Sequence, residues 1–180
     1  MRIIKKKLKK RMGYCCPDCG KTYVSTIKNV FSTCNPRIGM GVRTWLQCDC
    51  GSDCFEVDIN LLSAISELNS MGIKTEFCCE GHSFTDPGYI AFAPHISLEK
   101  LDLGCPSLWY VDKDNIYKNY LIELDQDGKQ KDISYTCDTI RPIQFEKSYI
   151  TFEEYKAKYI ASLYNWIIKL KFENKGENLI

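Results

Sequence analysis

The sequence carries almost no excess charge, only two histidines, and no long apolar run. Its 24 Lys and Arg are offset by 23 Asp and Glu, a formal net charge of +1. No stretch approaches the roughly 20 consecutive apolar residues that a helix needs to cross a bilayer. The opening MRIIKKKLKKRMGY has charge but lacks the apolar core and cleavage site of a secretory signal. These absences lead to the expectation of a soluble chain in a reducing cytoplasm with no membrane partner. Internal repeats and low-complexity linkers are also missing, and His82 and His95 leave imidazole chemistry only two places to sit.

What the chain does have is cysteine. There are 11, an odd number, in a sequence with no sign of export. Disulfides fit such a chain poorly and metal binding fits it better. An apolar content of 44% over 180 residues is enough for a real core.

The balanced charge conceals an asymmetry. Residues 1–50 hold 11 Lys and Arg against Asp18 and Asp49, so +9; residues 51–180 hold the other 13 against 21 Asp and Glu, so −8. A basic head on an acidic body is the distribution of a polyanion-binding end attached to a domain with other work. Lys5, Lys6, Lys7, Lys9, Lys10 and Arg11 are the candidate phosphate contacts, on a frayed helix or a disordered arm. A solvated tail is the plain alternative.

From Tyr14 to about Val57 the texture is of short β-prone pieces (TYVSTI, VRTWLQC, CFEVDI) between cysteine clusters and Gly, Pro and Asn turns. Ile59, Leu62, Ile65 and Leu68 then recur at helical spacing. With Asp58 as N-cap and Gly72 just past the end, they predict a helix of about thirteen residues. IKTEFCC reads as a strand, HSFTDPG as a loop and YIAFA as a second strand. SLWYVD, IYKNYLIELD and KQKDISYTC follow as antiparallel strands, the last two joined at Gln126-Asp127-Gly128. Thr151 and Glu154 form a capping-box pattern ahead of a closing helix. Its stripe of Phe152, Tyr155, Tyr159, Leu163, Trp166, Ile167 and Leu170 predicts packing across a sheet.

Two cysteine clusters carry the clearest chemistry. Cys16-Pro17-Asp18-Cys19-Gly20 and Cys48-Asp49-Cys50-Gly51 are separated by 28 residues. A tight turn closed by glycine puts two thiolates on one side of a loop, and two such turns supply the four tetrahedral ligands of a closed Zn²⁺ site. Residues 14–57 resemble a zinc ribbon. The second turn departs from that pattern, with one residue instead of two between its cysteines, so Cys54 is the alternate to Cys50. Cys15, next to a ligand, is expected to face the other way.

CCEGH, residues 78–82, admits three readings. It is a second metal site, in which Cys78 or Cys79 and His82 are completed by His95 and by Cys105 or Cys137. It is a nucleophile, Cys79, with His82 or His95 as base, although no arginine completes a Cys-x5-Arg signature. Or it is a structural or ligand-binding turn of Cys79, Glu80, Gly81 and His82, with strand alternation sending Cys78 and Cys79 to opposite faces.

The run LLSAISELNSMGIKTEFCCEGHSFTDPGYIAFA resembles a segment of uncharacterised small proteins of low-GC Gram-positive bacteria and their phages, and the likeness covers residues 14–93. It implies a bacterial or phage-infected cytoplasm and no particular activity. A fainter likeness is to the tRNA wybutosine-synthesising methyltransferases, with Thr75, Cys79 and Gly81 at comparable places and His82 where that family has arginine. It implies a turn that faces a nucleotide or RNA.

The expected architecture is α+β: a basic arm (1–13), a zinc-ribbon-like β module (14–57), and a mainly antiparallel sheet packed with two helices (58–180). The leading functional expectation is a zinc-binding, non-enzymatic protein that engages nucleic acid or a nucleotide. The alternatives are a small Cys/His enzyme acting on a nucleotide or modified base, and a protein that inhibits a host defence complex by binding a protein partner.

Overall fold

The computed structural model describes residues 12–24, 31–33, 43–113, 116–124, 130–144 and 151–173. The β-prone pieces near the N-terminus form β1 (Met12–Cys15), β2 (Thr22–Val24), β3 (Phe31–Thr33), β4 (Arg43–Gln47) and β5 (Asp53–Asp58). They pair in the order β2-β1-β5-β4-β3, each pair antiparallel. Alternation then divides the faces of this sheet. Tyr14, Cys16 and Cys54 fall into one small cluster, while Cys15 and Val57 turn into the main core. Gly13 lies opposite Val57 on that second face, and a Cβ there would meet the Leu62 side chain at 2.6 Å. Its lack of a side chain is what lets the first helix close onto the sheet.

That helix, α1 (Leu62–Ser70), is shorter than the predicted thirteen residues, and Asp58 is not its N-cap. Asp58 ends β5, and its carboxylate accepts the buried Glu80 amide at 2.9 Å. Leaving that buried amide unpaired would be costly, so the carboxylate turns inward, while the Asp58 and Ile59 carbonyls take the Leu61 and Leu62 amides at the helix start. The far end follows expectation. Gly72 takes φ +81°, its amide donates to Asn69 O, and the Ile73 amide donates to Leu68 O. This is the paired hydrogen bonding of a Schellman end, with Leu68 and Ile73 packed in the core beside it.

β6 (Thr75–Ser83) and β7 (Asp86–Phe92) form a hairpin. The predicted HSFTDPG loop is therefore mostly strand, and the turn is only Phe84-Thr85. β8 (Trp109–Asp112), β9 (Ile116–Leu124), β10 (Gln130–Thr136) and β11 (Thr139–Pro142) complete the strands. β9 and β10 pair with each other, their connection lying outside the described residues, and β6-β7-β11-β8 make a four-stranded antiparallel sheet. β11 was not anticipated: four residues ending in proline are too short to show a period.

α2 (Phe152–Glu173) opens with the expected capping box. The Glu154 amide donates to Thr151 Oγ1 at 3.2 Å, and the Thr151 amide donates to Glu154 Oε2 at 2.7 Å. Tyr155, Tyr159, Leu163, Trp166, Ile167 and Leu170 are buried on one face. The indole N–H groups of Trp109 and Trp166 are satisfied, the first by Tyr159 O and the second by Leu103 O. The fold is α+β, as expected, with the core between the sheets and the two helices.

Candidate metal centre

Each cysteine loop is closed by its own backbone. In the first, the Cys16 amide donates to Lys21 O at 2.9 Å and the Gly20 amide to Cys16 O at 3.1 Å. In the second, the Cys48 amide donates to Ser52 O at 2.8 Å and the Gly51 amide to Cys48 O at 2.9 Å. Gly20 and Gly51 hold φ +71° and +96°, left-handed values that a side chain disfavours. The first loop joins β1 to β2 and the second joins β4 to β5. Because β1 and β5 are antiparallel neighbours, both loops emerge at the same end of the sheet.

The four sulfurs of Cys16, Cys19, Cys48 and Cys50 all lie within 4.8 Å of one another. Cys16 Sγ is 3.4 Å from Cys50 Sγ, and Cys19 Sγ is 3.5 Å from Cys48 Sγ. A tetrahedron with metal–sulfur bonds of about 2.3 Å has sulfur–sulfur edges of about 3.8 Å. The observed separations surround that value, so the quartet can hold a metal ion. Cys54, the alternate ligand, is buried on β5 outside the quartet. The one-residue spacing of Cys48 and Cys50 does not exclude Cys50, because the Gly51 turn folds the loop back on itself.

The surroundings favour thiolates unevenly. The Cys50 amide and the Tyr23 hydroxyl, which donates to Cys48 Sγ at 3.3 Å, hold the Cys48 thiol down at about 6. The Ser52 amide lowers Cys50. Burial pushes Cys16 up to about 12, a group that a cation in the quartet would ionise. Outside the quartet, burial pushes Cys54 to about 12 and Cys15 to about 11, values of inert packed thiols. Cys15 does face away, into the core, where Asn69 Nδ2 lies 3.5 Å from its sulfur. Four protein sulfurs close a tetrahedral site, and no position remains for water or substrate.

CCEGH resolves differently from any metal clamp. It lies within β6, and Cys78 packs against the main core while Cys79 is on the other face, as alternation requires. Glu80 is buried, with its carboxylate accepting from Asn60 Nδ2 at 2.9 Å and 3.7 Å from Lys156 Nζ. Gly81 takes φ +84°, and a Cβ would meet the Gly88 amide at 2.6 Å and the Tyr159 hydroxyl at 2.9 Å. That hydroxyl donates to Glu80 O. Glu80 and Gly81 thus seat α2 on the hairpin. Only Cys79 and His82 form a pair with chemistry, Sγ to Nε2 being 3.4 Å. Burial raises the Cys79 thiol, the wrong direction for a thiolate nucleophile. Among the described residues the quartet is the only group of three or more ligand atoms close enough for a metal. His95, which is exposed, Cys105 and Cys137 therefore do not complete a second metal centre with Cys79 and His82.

Tyr23 is the site residue that spacing did not reveal. Its signal is weak: an aromatic four residues past a ligand, on a strand whose neighbour carries the loop. The candidate phosphate contacts Lys5, Lys6, Lys7, Lys9, Lys10 and Arg11 lie outside the described residues. Among the described residues no helix is long and apolar enough to cross a membrane. No protein-family model, curated protein or solved structure matches the chain.

Proposed function

We propose that Cys16, Cys19, Cys48 and Cys50 hold a structural Zn²⁺, and that the end of the molecule it staples carries the basic head onto nucleic acid. The observation that carries the metal reading is the closed sulfur quartet. An all-thiolate tetrahedral donor set suits zinc, with iron as the chief competitor. The nucleic-acid reading is supported by the charge distribution: +9 in residues 1–50, where Lys5 to Arg11 supply most of the excess, against −8 in the remainder. The metal does no chemistry on a substrate here. It fixes the two loops, and with them the strand that follows the basic head.

Gel-shift titration of the purified chain with single- and double-stranded RNA and DNA tests this reading. Binding should weaken steeply with salt, log K falling by about 0.9 per log unit of salt for each phosphate neutralised on duplex DNA. Absence of affinity for any nucleic acid or nucleotide at low salt sinks it. The Cys79–His82 contact favours a second reading, a small enzyme acting on a nucleotide or modified base. Cys79→Ala and His82→Ala would then abolish turnover without lowering thermal stability.

A further inference from the structure

Helix α2 carries a second, partly exposed apolar face, of which Tyr164 also packs against the core and donates its hydroxyl to Asn60 O at 3.3 Å. Opposite the buried stripe, Ala157, Ala161, Tyr164 and Ile168 follow one another at intervals of four, three and four residues. That is the spacing of a coiled-coil seam. Ala157 and Ala161 are exposed, Ile168 is 50% exposed and Tyr164 is half-buried. Around the two alanines lies a hollow of about 450 Å³ lined by Asn60, Lys156, Ile160 and Tyr164 among others. The seam is therefore graded, with small side chains and a hollow toward the start of the helix and larger side chains toward its end.

We infer that this face binds a second copy of the chain, with the two α2 helices antiparallel about a two-fold axis level with Ser162 and Leu163. In that arrangement Ile168 of the second copy falls opposite Ala157, where the hollow receives it, and Tyr164 falls opposite Ala161. Each small residue meets a large one, as knobs-into-holes packing requires, and an isologous contact makes every such layer twice. Charge agrees with the direction. Glu153, which pairs with Lys156, and Glu154 occupy the first turn, whereas Lys169, which pairs with Glu173, and Lys171 stand at the far end. Antiparallel pairing brings Glu154 level with Lys171 of the second copy, which also pairs with its own Glu67. A parallel pair would align like charges and leave alanine against alanine.

The test is the solution mass of the full chain by sedimentation, with circular dichroism and metal content as checks on folding. The unsubstituted chain should be a dimer. Ile168→Glu should weaken association by about a hundredfold or more and halve the mass, and Ala161→Glu should do the same. Ala157→Ile crowds the seam and should also weaken the dimer, whereas Ala157→Ile combined with Ile168→Ala exchanges large for small within each layer and should restore it. A monomeric unsubstituted chain overturns the inference, as does a dimer indifferent to Ile168→Glu. Failure of the double exchange to recover association overturns the antiparallel pairing.

Discussion

The two ends of this molecule are held together by different physics. Among the described residues, the cluster beside the cysteine loops contains four buried ones, Tyr14, Cys16, Cys48 and Cys54, three of them cysteines. The cluster between the sheets and the two helices contains twenty-two described residues, dominated by Leu, Ile, Trp and Tyr. Burial of apolar area can stabilise the second. It contributes less to the first, where the proposed metal would cross-link the polar loops. The boundary is a pair of strands: β1 gives Tyr14 and the adjoining Cys16 to one cluster and Cys15 to the other, and β5 divides Cys54 and Val57 in the same way. A small module needs not be independent of its neighbour to depend on a metal.

The largest expected effect comes from removing that cross-link. Structural zinc in small domains is worth about 10–16 kcal/mol of apparent binding free energy. Chelation, or Cys16→Ser, should melt strands β1 to β5 while the hairpin and α2 keep their order, and hydrogen exchange resolved by peptide would show the division. Global unfolding at the same chelator concentration would mean that the two ends form one cooperative unit.

Leu163→Ala makes the converse cut. It removes a fully buried side chain from the main core and should cost about 2–5 kcal/mol in denaturant unfolding, with metal content unchanged. Loss of metal in this variant would erase the proposed division.

Two glycines sharpen the comparison further. Gly20 and Gly51 hold corresponding places after the two cysteine loops, both with positive φ. A Cβ on Gly20 would meet Ser66 O on α1 at 2.4 Å, whereas a Cβ on Gly51 has nothing within 4 Å. Gly51→Ala should therefore cost only the left-handed backbone penalty, about 1–2 kcal/mol. Gly20→Ala should cost more, because the loop must also pull away from α1 and lose the Ser66 Oγ to Gly20 O hydrogen bond of 2.6 Å. Equal thermal shifts would place the first loop free of the helix.

The smallest effect is at the start of α2. Thr151→Ala should cost about 1 kcal/mol of stability at neutral pH. The Thr151 amide and hydroxyl hold the Glu154 carboxyl below its ordinary value of 4.5. A depressed acid stabilises the fold above that ordinary value and loses the contribution as pH falls through the lowered one. The difference between wild type and Thr151→Ala should thus shrink as pH falls below that ordinary value, as followed by thermal melts across acid pH.

How much of this was legible in the sequence depends on where each interaction closes. The cysteine loops and the α2 capping box are local, made by residues one to five apart, and spacing alone located them. The apolar stripe of α2 was equally plain. Asp58 was misread because its partner, the Glu80 amide, is 22 residues away, and a carboxylate before a helical pattern looks like a cap. The turn expected at CCEGH failed for the same reason, although the segment's structural role and the opposite faces of Cys78 and Cys79 held. Its polar letters suggested a turn, but Gly81 is required by the close approach of Gly88 and Tyr159, and Glu80 by Asn60 and Lys156. None of these partners is within five residues of it. Tyr23 at Cys48 and the short strand β11 depend likewise on neighbours supplied by the fold.

The most direct test of the central claim is metal stoichiometry on the purified full chain, measured by elemental analysis against protein concentration. The account predicts one zinc per chain, lost in Cys16→Ser and retained in Cys54→Ser. No bound metal, or zinc that survives Cys16→Ser but not Cys54→Ser, would contradict it.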